Sequence, residues 1–493
     1  MSSLRKLAGQ TAIYGLSSIV ARFLNFLLTP LYTSKEVFAP DDYGVITYFL
    51  GWAAFLNIVL SFGMETTFFR YATRKDSDQP RAYGTAFHIV AFISLVFTAV
   101  VALCATPIAN ATGYDAYASV VLMLGITLGL DAITAIPMAR LRQENRPWRF
   151  VFINAMNVGV NIVLSLFFLA YCMPKYNAGE SNALIDAVYD PTFGVGYVFL
   201  AFLVASIVKM LLLLPQWPSI SLRDPALVKP MLVFAAPLVL AGLAGMVNEM
   251  GSRVLLKYLL PAETADAQLG VFGACYKLAV LITLFIQAFR FAAEPFFFSR
   301  AHDPKAKETF ARINNLFVAF CMSAFLVVML FLDLFKWFIP NPAYWDGLRI
   351  VPIIMLANVF LGIYYNQSVW YKVTDRTRVA GTIALVGAAL TLVGNWALVP
   401  WLGYMGSAWA TLICYAVMAA ISYVWGQKHW PVPYNVGRVL LYMAGAVVLW
   451  WGCEQLALEG VLNYAVRAVA LLAFGGVVWK IERPALGRER MAS

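Results

Sequence analysis

Arg22-Phe-Leu-Asn-Phe-Leu-Leu-Thr-Pro30 and Arg253-Val-Leu-Leu-Lys-Tyr-Leu-Leu-Pro261 are the two stretches on which the reading of this chain turns. Each sets an arginine eight residues ahead of a proline, with leucines matched at two positions between. Arg22 falls near the middle of an apolar run from Ile13 to Tyr32. A charge at that depth is costly in a bilayer and normally faces a cavity or a partner. Its recurrence in a second copy points to a duplicated membrane domain with a cation built into each half.

The composition around these stretches agrees. Of 493 residues, 61% are hydrophobic and 13% charged, against roughly 25% charged in soluble domains. The apolar runs reach about 20 residues, the length of a helix crossing a hydrocarbon core of roughly 30 Å, and the alternating ten-residue segments of a β-barrel are absent. A formal charge of +10 would suit a nucleic-acid binder, but the placement of the basic residues argues otherwise. With the N-terminus inside, loops on that side carry about 25 of the 36 Lys and Arg and the opposite loops about four, as the positive-inside rule requires. Arg140, Arg142, Arg146 and Arg149 share one such loop, whereas the outside loops hold Glu180, Asp186, Asp190, Glu263 and Asp266. No nucleic-acid partner is expected.

Fourteen spans are predicted, at about 10–33, 43–69, 83–104, 117–138, 150–172, 193–214, 231–259, 269–293, 311–333, 348–371, 379–400, 404–426, 437–454 and 463–481. The first is too long, and lacks the small-residue site, for a cleaved signal peptide. The even count returns the C-terminus, with Lys480, Arg483, Arg488 and Arg490, to the cytoplasmic side. After Pro30 and after Pro261 the chain crosses an acidic outside loop and begins a span, at Tyr43-Gly-Val and at Leu269-Gly-Val. Both spans end near an acid, Glu65 or Glu294, followed by aromatics and by Arg70 or Arg300. Asn161-Ile-Val-Leu resembles Asn395-Trp-Ala-Leu, and each precedes a Gly-rich entry, Gly194-Val-Gly196 or Gly403-Tyr-Met-Gly406. The expectation is an all-α polytopic membrane protein. Residues 1–228 and 229–427 form two six-helix lobes related by a parallel repeat, and 428–493 add two helices and a basic tail.

The residues able to carry chemistry are few. Arg22 reads either as a cavity cation for an anionic substrate or as one half of an ion pair with Glu65 or Asp131. Glu249, Arg253 and Lys257 follow at four-residue steps on one helix face, so Glu249 can neutralise Arg253, while Lys257 can snorkel. Lys277 has no acid at helical spacing, whereas Arg290 and Glu294 read as an interfacial pair. Lys209 and Arg467 lie near enough to span ends to snorkel. Glu65, Asp131 and Glu249 are candidates to bind a coupling ion or proton, because a carboxylate in low dielectric can alternate between charged and neutral. Asn154, Asn157 and Asn161 line one face of span five, as helix-joining amides or as sugar contacts. Six scattered cysteines without CxxC spacing and three isolated histidines offer no metal site. No GxxxxGK[ST] is present for ATP, no cofactor is expected, and the longest outside loop, 173–192, is short for an enzyme of glycan assembly. Transport is the expected class.

Tyr14-Gly-Leu-Ser-Ser, Arg22, Pro30-Leu-Tyr, Tyr43-Gly-Val and Phe62-Gly-Met-Glu-Thr-Thr-Phe-Phe-Arg-Tyr71, with the stretch from Asn395 to Tyr415, resemble the polysaccharide or O-antigen flippases. These belong to the multidrug, oligosaccharidyl-lipid and polysaccharide (MOP) exporter superfamily. The resemblance implies a MATE-like fold in the bacterial inner membrane. It further implies alternating-access transfer of a polyprenyl-diphosphate-linked glycan for cell-surface polysaccharide, alongside glycan synthesis and polymerisation proteins. It assigns a cationic cavity to Arg22, Arg253 and Lys277, to which Arg290 is added. The last two spans resemble a pair that forms a lipid-tail groove in lipid II flippases. A multidrug or metabolite exporter of the same superfamily is the alternative within transport. A non-transport component or enzyme of glycan assembly is the alternative outside it.

Overall fold

The computed structural model describes Tyr14, Gly15, Ser17 and residues 19–490 except 75–77, 301–302, 377 and 457; side chains at 292, 294, 295, 299 and 484–490 are not described. Among the described residues there is no strand, and thirteen helices are long and apolar enough to cross a membrane. A shorter apolar helix, α1 (Ile19–Tyr32), precedes them at the site of the first predicted span. The thirteen are α2 (Pro40–Ala72), α3 (Gln79–Ala111), α4 (Asp115–Gln143), α5 (Pro147–Asn177), α6 (Gly196–Gln216), α7 (Pro225–Leu259), α8 (Ala262–Phe298), α9 (Ala306–Leu330), α10 (Pro342–Val373), α11 (Arg378–Leu402), α12 (Tyr404–His429), α13 (Val436–Gln455) and α14 (Gly460–Arg483). Helix is the form such runs must take in lipid, because it satisfies every backbone donor within the segment.

The chain divides into two compact units, Met1–Gly273 and Ala274–Ser493. In the first, α3 packs on α4, and α6 packs on both α4 and α5. In the second, α9 packs on α10, and α12 packs on both α10 and α11. The same internal pairing thus recurs six helices later. Gly194 and Gly403, which precede α6 and α12, both have left-handed φ, so the matched Gly-rich entries are matched in conformation as well. Helix α7 packs on α2, which is why the first compact unit extends beyond α6. Helices α13 and α14 pack on α9 and on each other.

Large apolar side chains such as Leu103, Trp401 and Val461 remain more than four-fifths exposed on these helices. In lipid that exposure costs nothing, so helix association must come from close packing and polar contacts. Close packing is tightest where α2 meets the first turns of α8. A Cβ on Gly44 would run into the backbone of Asp266, with its carbonyl carbon 2.7 Å away. A Cβ on Gly270 would run into Pro40, with the carbonyl carbon at 2.8 Å, and would stand 2.9 Å from the Gly44 nitrogen. Each glycine meets the residue four before its counterpart, as helices crossing on a two-fold axis must do. The two Gly-Val starts matched in sequence therefore touch in space.

Helix α2 breaks at Phe62 and Gly63, both with left-handed φ (46° and 61°), and resumes at Met64. A Cβ on Gly63 would lie 3.1 Å from the Leu238 Cβ of α7, so the position is limited by both backbone and space. Gly63→Ala is expected to lower stability by about 1–2 kcal/mol, measurable as a lower melting temperature in detergent. The break sets Glu65 in the first turn of the resumed helix, where the dipole favours an acid.

Candidate functional site

The site is built first from α1. Asn25, one turn beyond Arg22, accepts a hydrogen bond from Asn161 on α5 at 2.9 Å, and Tyr32 binds Ser165 at 3.0 Å. Asn161 therefore joins α1 to α5 as a buried amide. Asn154 and Asn157 are half-buried on the same helix. Arg22 is exposed. The two acids considered as its partners engage other cations: Glu65 lies 2.5 Å from Arg142, and Asp131 accepts from Lys209 at 3.3 Å and from Ser206 at 3.1 Å.

The charged stripe on α7 is split by its surroundings. Glu249 is exposed, and Arg253 is half-exposed with its guanidinium against the Met250 thioether. The Arg253 Cβ lies 3.6 Å from where a Cβ on Gly51 of α2 would stand, so Arg253 borders that helix. Lys257 turns to Asp266, 2.9 and 3.0 Å from its two carboxylate oxygens, instead of snorkelling. Tyr114 donates to the same carboxylate at 2.5 Å. The lysine also lies 4.1 Å over the Tyr114 ring, so both partners of the ion pair hold that tyrosine.

In the second unit, Lys277 is half-exposed on α8, and Arg290 is exposed with its guanidinium 5.0 Å from the Tyr365 ring centroid. The side chain of Glu294, the expected partner of Arg290, lies outside those described. Arg467 is buried, bonding the Leu330 carbonyl at 2.6 Å, Asp333 at 3.1 Å and Glu454 at 3.0 Å. At the other end of the same two helices, buried Glu482 accepts from Tyr442 at 2.7 Å. The reading of Arg467 as a snorkelling residue missed this clamp, because Asp333 is remote in sequence and no spacing rule reaches it. Lys209 had a visible signal: Ser206 and Lys209 are three residues apart and make one polar face on α6. Arg467→Met is expected to loosen α13 and α14 by about 1–2 kcal/mol, a modest cost because both acids are about half exposed. Faster proteolysis between Trp430 and Asn435 would register it.

Among the described residues no cluster of His, Cys, Asp and Glu can hold a metal ion. Among the described residues the first unit holds two recesses that are lined by neither Arg22 nor Arg253. One, of about 280 Å³, is almost wholly apolar, between Tyr48, Trp52, Phe97, Val101, Leu124 and Leu128. It sits beside α3, which leaves helical geometry at Cys104, ahead of Pro107. The other, of about 380 Å³, is acidic and lined by Asp41, Asp42, Tyr114, Asp115, Tyr117 and Asp266. Chemically, the first unit offers exposed or half-exposed arginines on α1 and α7 beside a scaffold of amides and satisfied ion pairs.

This architecture is known from solved transporters. The lipid II flippase MurJ in an inward closed conformation superposes with a TM-score of 0.71 at 13% identity, covering 95% of this chain and 98% of that one. An inward-facing multidrug resistance MATE family transporter of the MOP superfamily gives 0.66 at 15% identity over 85% and 97% of the two chains. A MATE in complex with MaD3S gives 0.59 at 14% identity over 86% and 94%. At these identities the likeness establishes the fold alone. No curated protein matches the chain in sequence. Residues 37–335, more than half of the chain, match the family described as polysaccharide biosynthesis protein. The chain therefore belongs to the polysaccharide biosynthesis protein family and carries the fold of the MOP exporter superfamily.

Proposed function

We propose that this protein is a flippase that moves a polyprenyl-diphosphate-linked oligosaccharide across the bacterial inner membrane by alternating access, for cell-surface polysaccharide. Both termini are cytoplasmic in this reading. Residues 1–228 and 229–427 act as the two lobes, and 428–493 as an appended pair. The observation that carries the proposal is an arginine eight residues ahead of a proline in each sequence copy, Arg22 and Arg253, in a chain of the polysaccharide biosynthesis family. A diphosphate loses hydration inside the membrane, and guanidinium groups from both halves offset that loss by bidentate, charge-assisted hydrogen bonds. Lys277 and Arg290 are the further candidate cations, carried by the second unit, and Asn154 and Asn157 are the amides left for sugar. Asp131 and Glu65, already paired with cations, would act in ion coupling only by releasing them, which leaves Glu249 as the more accessible carboxylate.

A multidrug exporter shares the fold, but cationic drugs would be repelled by the same arginines. The test is transfer of a lipid-linked oligosaccharide between leaflets of proteoliposomes, together with its leaflet distribution in cells depleted of the protein. Accumulation in the inner leaflet on depletion is expected. An unchanged distribution in both experiments would sink the reading.

A further inference from the structure

The contacts at the start of α8 form a closure that the substrate reading leaves unused. Gly44 and Gly270 let α2 and α8 cross with backbones touching, and Thr47, one turn past Gly44, is buried against Gly273. Beside this crossing, Lys257 of α7 and Asp266 of α8 pair at 2.9 Å. Tyr114, between α3 and α4, binds both. Tyr48 of α2 and Tyr258 of α7 hydrogen-bond at 2.5 Å, and the Tyr48 ring lies 5.0 Å from that of Tyr114. Burial and the bond to Asp266 push the Tyr114 phenol well above its ordinary range, so it stays a proton donor.

The electrostatics make this closure conditional. Asp41, Asp42 and Asp115 line the same recess as Asp266, and Lys257 is the cation bound to that carboxylate. Attached to Asp266, the lysine offsets the repulsion among these acids. Detached, it leaves the half-buried Asp42 and Asp266 and the exposed Asp41 and Asp115 on one recess without that cation, which favours separation. The glycine crossing supplies contact area but, being uncharged, little reason to reopen. The ion pair supplies the bistability.

We propose that the Lys257–Asp266 pair, held by Tyr114, is a latch that keeps the α7–α8 hairpin on α2 and on the turn between α3 and α4, and that its release is the step that lets this end of the protein open. Because Lys257 lies one turn from Arg253, an anion reaching Arg253 is positioned to compete with Asp266 for the lysine. That gives substrate a route to release the latch. The proposal assumes alternating access but not a glycan, so it can be tested without cargo and can fail while the flippase reading stands.

The measurement is modification of a Thr47→Cys side chain by a charged methanethiosulfonate. The full chain is held in nanodiscs, where both faces are wet, and the labelled peptide is read by mass spectrometry so that the native cysteines stay in place. Thr47→Cys alone should label slowly. Lys257→Met should accelerate labelling about tenfold, a shift of the two-state equilibrium by the strength of one such pair. Asp266→Asn should accelerate it less, because it also removes one of the repelling acids. The exchanged pair, Lys257→Asp with Asp266→Lys, should bring labelling part of the way back, because it restores the charge pair but not the Tyr114 bond to residue 266, and general loosening of the fold would bring none back. Fast labelling of Thr47→Cys alone, unchanged labelling in both single variants, or an exchanged pair that labels no slower than Lys257→Met would each overturn the latch.

Discussion

Arg22→Ala and Arg253→Ala are each expected to reduce glycan transfer by about 10- to 100-fold, the worth of one charge-assisted bond to phosphate in a partly dry site. The double variant should fall to background if both guanidiniums hold one diphosphate. Arg22→Lys should recover part of the loss, since ammonium keeps the charge but not the bidentate geometry. Transfer of lipid-linked oligosaccharide into reconstituted vesicles at matched protein levels reads all four. Arg22 is the sharper test, because Glu249 stands one turn from Arg253 and can share its charge. Transfer at the parent rate in both alanine variants would remove the cationic cavity from the account.

Gly270→Ala is expected to cost about 2–4 kcal/mol, because the added methyl meets backbone on α2 and no side chain can turn aside. Gly44→Ala meets the Asp266 backbone in the same way. Either change should force α2 and α8 apart and weaken the pairing of Tyr48 with Tyr258 and of Lys257 with Asp266. A lower melting temperature and faster labelling of Thr47→Cys should appear together. Gly245→Ala is the control: nothing lies within 4 Å of its added Cβ, and the variant should behave as the parent. If Gly270→Ala melted with the parent, the crossing would be looser than the backbone contact implies.

The arginines and the glycines differ in how far the sequence alone exposes them. The arginines were legible in the sequence because a charge inside an apolar run needs no partner to be noticed. The glycines were legible only as matched Gly-Val starts. That they meet each other follows from a two-fold relation between helices, which no local pattern encodes. The Phe62-Gly63 break is intermediate: the motif was visible, but a phenylalanine with left-handed φ where α2 packs on α7 has no local signature.

By itself the sequence determined the all-helical membrane architecture and the positions of the spans, because hydropathy and period act along the chain and are fixed by neighbours in it. Only the tertiary structure decided which charges meet. Asp131 took Lys209 across 78 residues and Arg467 took Asp333 across 134, while Lys257, expected to snorkel, took Asp266. A buried charge in lipid must find a counter-charge, but which one it finds is set by helix packing. The same packing turned three residues that no local pattern links, Tyr114, Lys257 and Asp266, into a single bonded cluster.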